Sequence, residues 1–177
     1  MSATQQQVEF NKPLEQPHYN VLFLCTGNSA RSILAAALLN HKGHANFTAF
    51  SGGSFPKGSI HPMALKQLEI SNLPTEGLRS KSWDEFGKPG SPQMDFIITV
   101  CDNAKGEECP IWPGQPVTAH WGVPDPAAVT GTPEEIEHAF RETFMILERR
   151  ISLFLCLPLP SIETIALKQH VDNIGAS

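Results

Sequence analysis

YNVLFLCTGNSARSILAAALLNHKG, Tyr19 to Gly43, is the stretch whose reading decides the fold. YNVLFLC is a short run of strand length, apolar without alternation, the pattern of a strand buried on both faces. SILAAALLNHKG, Ser32 to Gly43, predicts a helix stopped by Gly43. Between them lies a loop poor in bulk: Cys25 ends the strand, then come Thr26, Gly27, Asn28, Ser29 and Ala30, and five residues separate Cys25 from Arg31. Strand, glycine-bearing loop and helix in immediate succession are the first unit of a parallel α/β sheet.

Working outward, FTAFSGG predicts a second strand, and HPMALKQLEIS a helix with Pro62 in its first turn, where a missing N–H costs nothing. RSKSWDEF reads as a short helix or turn, MDFIITVC (Met94 to Cys101) as a strongly apolar strand, and QPVTAHW as a weaker one. After Pro133, Ile136, Phe140, Phe144 and Leu147 recur at helical spacing behind a glutamate-rich first turn that complements the helix dipole. IETIALKQHVDNIGAS predicts one more short helix. The whole reads as α/β: an open four-stranded parallel sheet with helices on both faces. Residues 1–17 read as a flexible tail and 18–177 as a single domain.

The chain has 177 residues and a net charge of −5, without the basic excess of a nucleic-acid surface. No apolar run approaches the ~18 residues of a membrane span, and the polar N-terminus lacks a secretory h-region, so the expected address is the cytoplasm. In that reducing compartment Cys25, Cys101, Cys109 and Cys156 are not a structural disulfide framework. Cys-x-x-Cys or paired-histidine spacing is missing, so neither a metal nor a cofactor is expected.

The loop has a physical reading. Backbone N–H groups of a glycine-containing turn, backed by a helix N-terminus, cradle a tetrahedral oxyanion. Gly27 permits unusual backbone angles, Asn28 tolerates the left-handed region, and Arg31 grips two oxygens in a planar fork. Cys25 is then a nucleophile under the anion. The reading expects its thiol to be pulled down from about 8.5 by these donors, Arg31 and Ser32. A lone cysteine at a strand end is commonly just a small buried hydrophobe. The joint pattern Cys-x-Gly-Asn-x-x-Arg-Ser arises by chance in well under about one chain in a thousand.

VLFLCTGNSARS resembles the phosphate-binding loop of the low-molecular-weight protein tyrosine phosphatases and of the arsenate reductases built on the same fold. The similarity runs from about Tyr19 to Leu157 and includes SGGSFPKGSIHPMALKQL and the Asp-Pro pair of WGVPDPA. The resemblance implies that Cys25 is the nucleophile, Arg31 the anion clamp and Asp125 the general acid. It implies that Thr26, Gly27, Asn28, Ser29, Ala30, Arg31 and Ser32 bind the oxyanion, arsenate with phosphate as competitor.

Two features discriminate within the family. The phosphatases place an aromatic residue after Asp-Pro, whereas here Ala127 and Ala128 follow, so a ring-sized substrate is expected to find little to stack on. The other is CDNAKGEEC. Alone, Cys101 reads as a core cysteine. If Cys25 and Cys101 end neighbouring strands, their backbones lie ~4.8 Å apart, near the ~5.5 Å that a disulfide prefers. With Cys109 this makes a thiol pair suited to exchange. The resemblance implies the relay: arsenate on Cys25, arsenite released as Cys101 attacks, then a Cys101–Cys109 disulfide reduced by thioredoxin, or by glutaredoxin with glutathione. The alternatives are a phosphatase of phosphate monoesters and a redox-sensing anion binder. Cys156 reads as helix packing, His61 and His120 as structural, and Lys81 as a solvated lysine, with a built-in cation in place of a potassium site as its other reading.

Overall fold

The computed structural model describes residues 17–101 and 114–177. Cys109, and all of the expected tail except Pro17, lie outside the described residues. The chain runs β1 (Tyr19–Cys25), α1 (Arg31–Lys42), β2 (Phe47–Gly53), α2 (Pro62–Ile70), a 3-10 turn at Trp83–Phe86, β3 (Phe96–Thr99), β4 (Val117–His120), α3 (Pro133–Leu155) and α4 (Thr164–Ile174). Further single 3-10 turns lie at Pro126–Ala128 and Leu159–Ser161.

Among the described residues all strand pairs are parallel, in the order β2-β1-β3-β4. The chain steps from β1 to β2 on one side, then returns to the other side of β1 for β3. That reversal puts a crevice between the carboxyl ends of β1 and β3, the place where open parallel sheets bind ligands. The expected strand Met94 to Cys101 is shorter than read. Pairing stops at Thr99, though Val100 N still donates to Leu24 O at 2.8 Å, and Cys101 already belongs to the rim.

The two sheet faces are covered unequally. Val21 and Phe23 join the core formed with buried residues of α1, α2, α3 and α4. Leu22 and Leu24 point the other way, onto Trp83, Phe86, Met94 and Ile97. β1 is therefore dry on both sides, with Val21 through Leu24 at 0% exposure. On α1, Ile33, Leu34 and Leu39 are wholly buried, each such side chain contributing about 1.5–3 kcal/mol. The Ala35-Ala36-Ala37 run is buried with them, small residues that bring α1 close to its neighbours.

Local chemistry sets the helix ends. His61 caps α2, its Nδ1 accepting from Met63 N at 3.1 Å, with Pro62 as first residue. α3 starts on a capping box in which Thr132 and Glu135 each take the other's backbone N–H. Cys156 departs from its expected packing role: it is the C-cap of α3 and is exposed, because the helix ends before Pro158. No helix among the described residues is long and apolar enough to cross a membrane.

Candidate active site

The loop joining β1 to α1 is held from outside by its carbonyls. Cys25 O accepts from Ser54 N (3.3 Å), Thr26 O from Phe55 N (2.9 Å), Gly27 O from Lys57 N (3.0 Å) and Ser29 O from His61 N (2.9 Å). The segment after β2 thus takes the carbonyls one by one. In a trans peptide the N–H of the next residue points the opposite way, into the hollow. The Gly27–Asn28 peptide shows it: the carbonyl goes out to Lys57, while Asn28 N–H donates inward to Cys25 Sγ at 3.2 Å. Gly53, at the end of β2, makes the fit possible. A Cβ there would collide with Thr26 O and stand 3.0 Å from Asn28 N.

Asn28 braces the loop. It is fully buried at φ +43°, in the left-handed region its side chain tolerates. Its Nδ2 donates to Ser32 Oγ at 2.7 Å, and its Oδ1 accepts from Lys81 N at 2.8 Å. Ser32 Oγ lies 2.9 Å from Cys25 Sγ. Among the described residues no side chain caps α1, and its first turn carries no acidic residue, which leaves the backbone donors of that turn open.

The electrostatics of Cys25 differ from the sequence expectation. The side chain is 2% exposed. Burial pushes the thiol up from its ordinary value, more strongly than the Ser32 side chain and backbone and Arg31 pull it down, while Cys101 adds to the rise. Desolvation of a thiolate outweighs the donors around it. Lys81 is also corrected. It is half-buried rather than solvated, its Nζ donates to Ser51 Oγ (3.1 Å) and Arg79 O (3.0 Å), and burial lowers it to about 8.

The far side of the hollow comes from sequence positions about a hundred residues away. Arg31, first residue of α1, sends Nη1 to Val123 O at 3.0 Å, and its Nη2 lies 3.6 Å from Asp125 Oδ2. Asp125 uses Oδ1 to cap the 3-10 turn through Ala127 N at 3.0 Å, which leaves Oδ2 toward the hollow. Cys101 is 1% exposed and free, with Sγ 3.6 Å from Thr26 Oγ1. The result is a hollow of about 180 Å³ lined by the loop from Cys25 to Arg31 together with Phe55, Lys57 and Asp125.

Every expected site residue within the described range converges here: Cys25, Thr26, Gly27, Asn28, Ser29, Ala30, Arg31, Ser32, Cys101 and Asp125. Two members were missed. Lys57 lays its stem against Gly27 and adds a cation to the wall, and Phe55 stands at the mouth, 74% exposed. Phe55 corrects the expectation of a wall without an aromatic ring: the ring comes from the segment after β2 instead of from the residues after Asp-Pro. An apolar residue with no apolar neighbours in GGSFPKGS was the available signal. His61 stacks on Phe140, centroids 4.7 Å apart, and Thr99 Oγ1 lies 2.6 Å from His120 Nδ1.

The arrangement can hold a small tetrahedral oxyanion over a thiol, with a carboxyl group beside it and a second thiol behind. The family model for low molecular weight phosphotyrosine protein phosphatase matches residues 20–170. An arsenate reductase of Oceanobacillus iheyensis is 31% identical over 134 residues, 76% of this chain and 93% of that relative. Among solved structures, a thioredoxin-dependent arsenate reductase of Corynebacterium glutamicum is 25% identical with TM-score 0.53, the match covering 80% of this chain and 65% of that one. A low molecular weight protein tyrosine phosphatase of T. tengcongensis shares the fold at 22% identity and TM-score 0.63, over 77% of this chain and 97% of that one.

Proposed function

Because the chain belongs to the low molecular weight phosphotyrosine protein phosphatase family, we propose that it is an enzyme of that family which reduces arsenate to arsenite, for arsenic detoxification in the cytoplasm. The observation that carries this reading is the second thiol. A phosphatase needs only Cys25, Arg31 and Asp125, since water completes its cycle. Here a free Cys101 is buried on the rim two residues beyond the neighbouring strand β3, 3.6 Å from the loop's Thr26 hydroxyl.

The Cys25 thiol gives its proton to an oxygen of the bound arsenate dianion, the thiolate so formed attacks arsenic, and one arsenate oxygen leaves as water, protonated by Asp125. Arg31 and the loop amides hold the remaining oxygens. Cys101 then attacks Cys25 Sγ. The sulfur–arsenic bond breaks, its electron pair stays on arsenic, arsenite departs, and a Cys25–Cys101 disulfide remains. Attack by Cys109 on Cys101 frees Cys25 and leaves Cys101–Cys109, which an external dithiol reduces. The thioredoxin dependence of the Corynebacterium glutamicum relative supports thioredoxin as that dithiol. Glutaredoxin with glutathione is the other donor to test.

Phe55 favours a second activity, hydrolysis of aryl phosphate monoesters, because an exposed ring at the mouth gives a substrate ring a surface to stack on. One set of assays separates the two: arsenite release driven by a thioredoxin system or by glutaredoxin with glutathione, beside p-nitrophenyl phosphate hydrolysis. Cys101→Ser and Cys109→Ser are expected to stop multiple-turnover reduction and to leave ester hydrolysis intact. Mass spectrometry of arsenate-treated wild type without reductant is expected to show Cys101 linked to Cys109. Finding both thiols reduced would leave the phosphatase reading alone standing.

A further inference from the structure

Arg150 is placed where a helix rarely keeps a charge. It lies on α3 at 7% exposure, and its only hydrogen bond among the described residues runs from Nη1 to Gly122 O at 3.1 Å. Its Nε is buried without a partner among those residues, and no carboxylate there pairs with it. A buried guanidinium so poorly matched is a poor packing element; an apolar side chain of similar length would serve the core better.

What it holds is specific. Gly122 and Val123 are consecutive, and their carbonyls are taken by two arginines from two packed helices, Gly122 O by Arg150 and Val123 O by Arg31 at 3.0 Å. On the other edge of this segment, Trp121 N donates to Thr99 O at 2.7 Å and Val123 N to Val100 O at 3.0 Å. Pro124 and Pro126 have no N–H to give. The irregular stretch leading to Asp125 is thus strung between β3 and two guanidinium groups. One of those, Arg31, also faces the oxyanion hollow and Asp125, so its hold on Val123 competes with substrate. Arg150 does not line the hollow.

We infer that Arg150 is a positioning residue: through the Gly122 carbonyl it keeps Asp125 in register for proton donation while Arg31 is engaged by the oxyanion. The inference rests on the proposed role of Asp125 as general acid. A displacement of the acid by about an ångström is enough to slow a reaction up to about 100-fold, and that is the effect expected on kcat.

Arg150→Met keeps the stem and removes the fork, and Arg150→Lys keeps the charge without the fork. Both are measured with p-nitrophenyl phosphate and with arsenate in a single turnover. Arg150→Met is expected to lower kcat by about 10- to 100-fold with KM little changed, Arg150→Lys recovering only part. Added to Asp125→Asn, Arg150→Met is expected to lower kcat by less than about twofold further, since a positioning effect has nothing left to position. Amide exchange supplies a readout free of any reaction. The Ala127 N–H, held by Asp125 Oδ1, is expected to exchange faster in Arg150→Met while α3 amides do not change. Additive losses in the double variant, or an unchanged Ala127 amide, would overturn the inference. Wild-type protein inactive on both substrates, with the Ala127 amide still responding, would overturn the functional reading and leave the Arg150–Gly122 tether standing.

Discussion

One hollow of this molecule lies at the carboxyl ends of the strands and another at their amino ends. The second is the larger, about 660 Å³ against about 180 Å³, and is walled by Tyr19, Phe47, Leu155, Leu157 and Leu159. Volume is not chemistry. In a parallel sheet the strands all end on one rim, and each following helix starts there, so backbone donors and the positive end of the α1 dipole gather on that side. The opposite rim receives helix C-termini. α1 ends there on Lys42 and Gly43, two of the residues around the large hollow. The small hollow holds a thiol, an arginine and a carboxylate against loop amides; the large one is mostly hydrocarbon.

The sharpest way to break this contrast is Cys25→Ser. A hydroxyl with no base beside it is a poor nucleophile, so less than about 1% of either arsenate reduction or ester hydrolysis is expected to remain. Retention of one activity would mean that the small hollow does not carry it through Cys25. Asp125→Asn comes next, with kcat falling about 10²–10³-fold. Calorimetric phosphate affinity is expected to change little, since Arg31 and the loop amides remain.

The third effect is a shift with pH. Burial holds the Cys25 thiol above its ordinary value, so its alkylation by iodoacetamide is expected to rise with pH to a midpoint on the alkaline side of the usual ~8.5. Ser32→Ala removes the largest downward pull and is expected to move that midpoint further up, slowing alkylation at neutral pH. The sign also applies to stability. With the folded value above the unfolded one, the contribution is present below the ordinary thiol pKa and lost as pH rises through the folded value. A midpoint below that of a free cysteine would show that the loop donors outweigh desolvation.

Leu159→Ala is the smallest in activity and the control for the comparison. Leu159 is 7% exposed beside the large hollow, so truncation is expected to cost about 2–5 kcal/mol in a denaturant melt. Steady-state rates and phosphate affinity at the small hollow are expected to stay at wild-type values. A change in those rates would show that the two hollows are coupled.

β1 and β2 were legible to the residue because apolar runs bounded by glycine and polar loops are local signals. β3 is shorter at both ends than the apolar run Met94 to Cys101, because an apolar stretch does not say where its neighbours stop pairing. The turn from Cys25 to Ser32 was legible for a different reason: glycine, asparagine and small residues between a strand and a helix mark a tight loop within a single turn of chain. Even the left-handed backbone of Asn28 followed from its side chain.

Burial and distant partners were not legible. The same Cys25 reads as a lowered thiol when only its donors are counted and as a raised one once β1 is known to be dry. Lys81 sits in a polar stretch, yet tertiary contacts bury it against Ser51 and bring it down to about 8. Phe55 at the mouth, Asp125 beside Arg31 and Arg150 on the Gly122 carbonyl join positions 28 to 94 residues apart. The sequence by itself determined what depends on neighbours along the chain: the strands, the helix starts and the tight loop between β1 and α1. Desolvation and long-range hydrogen bonds depend on neighbours in space, so the tertiary structure alone decided how the Cys25 thiol is buried and which side chains surround Arg31 and Asp125.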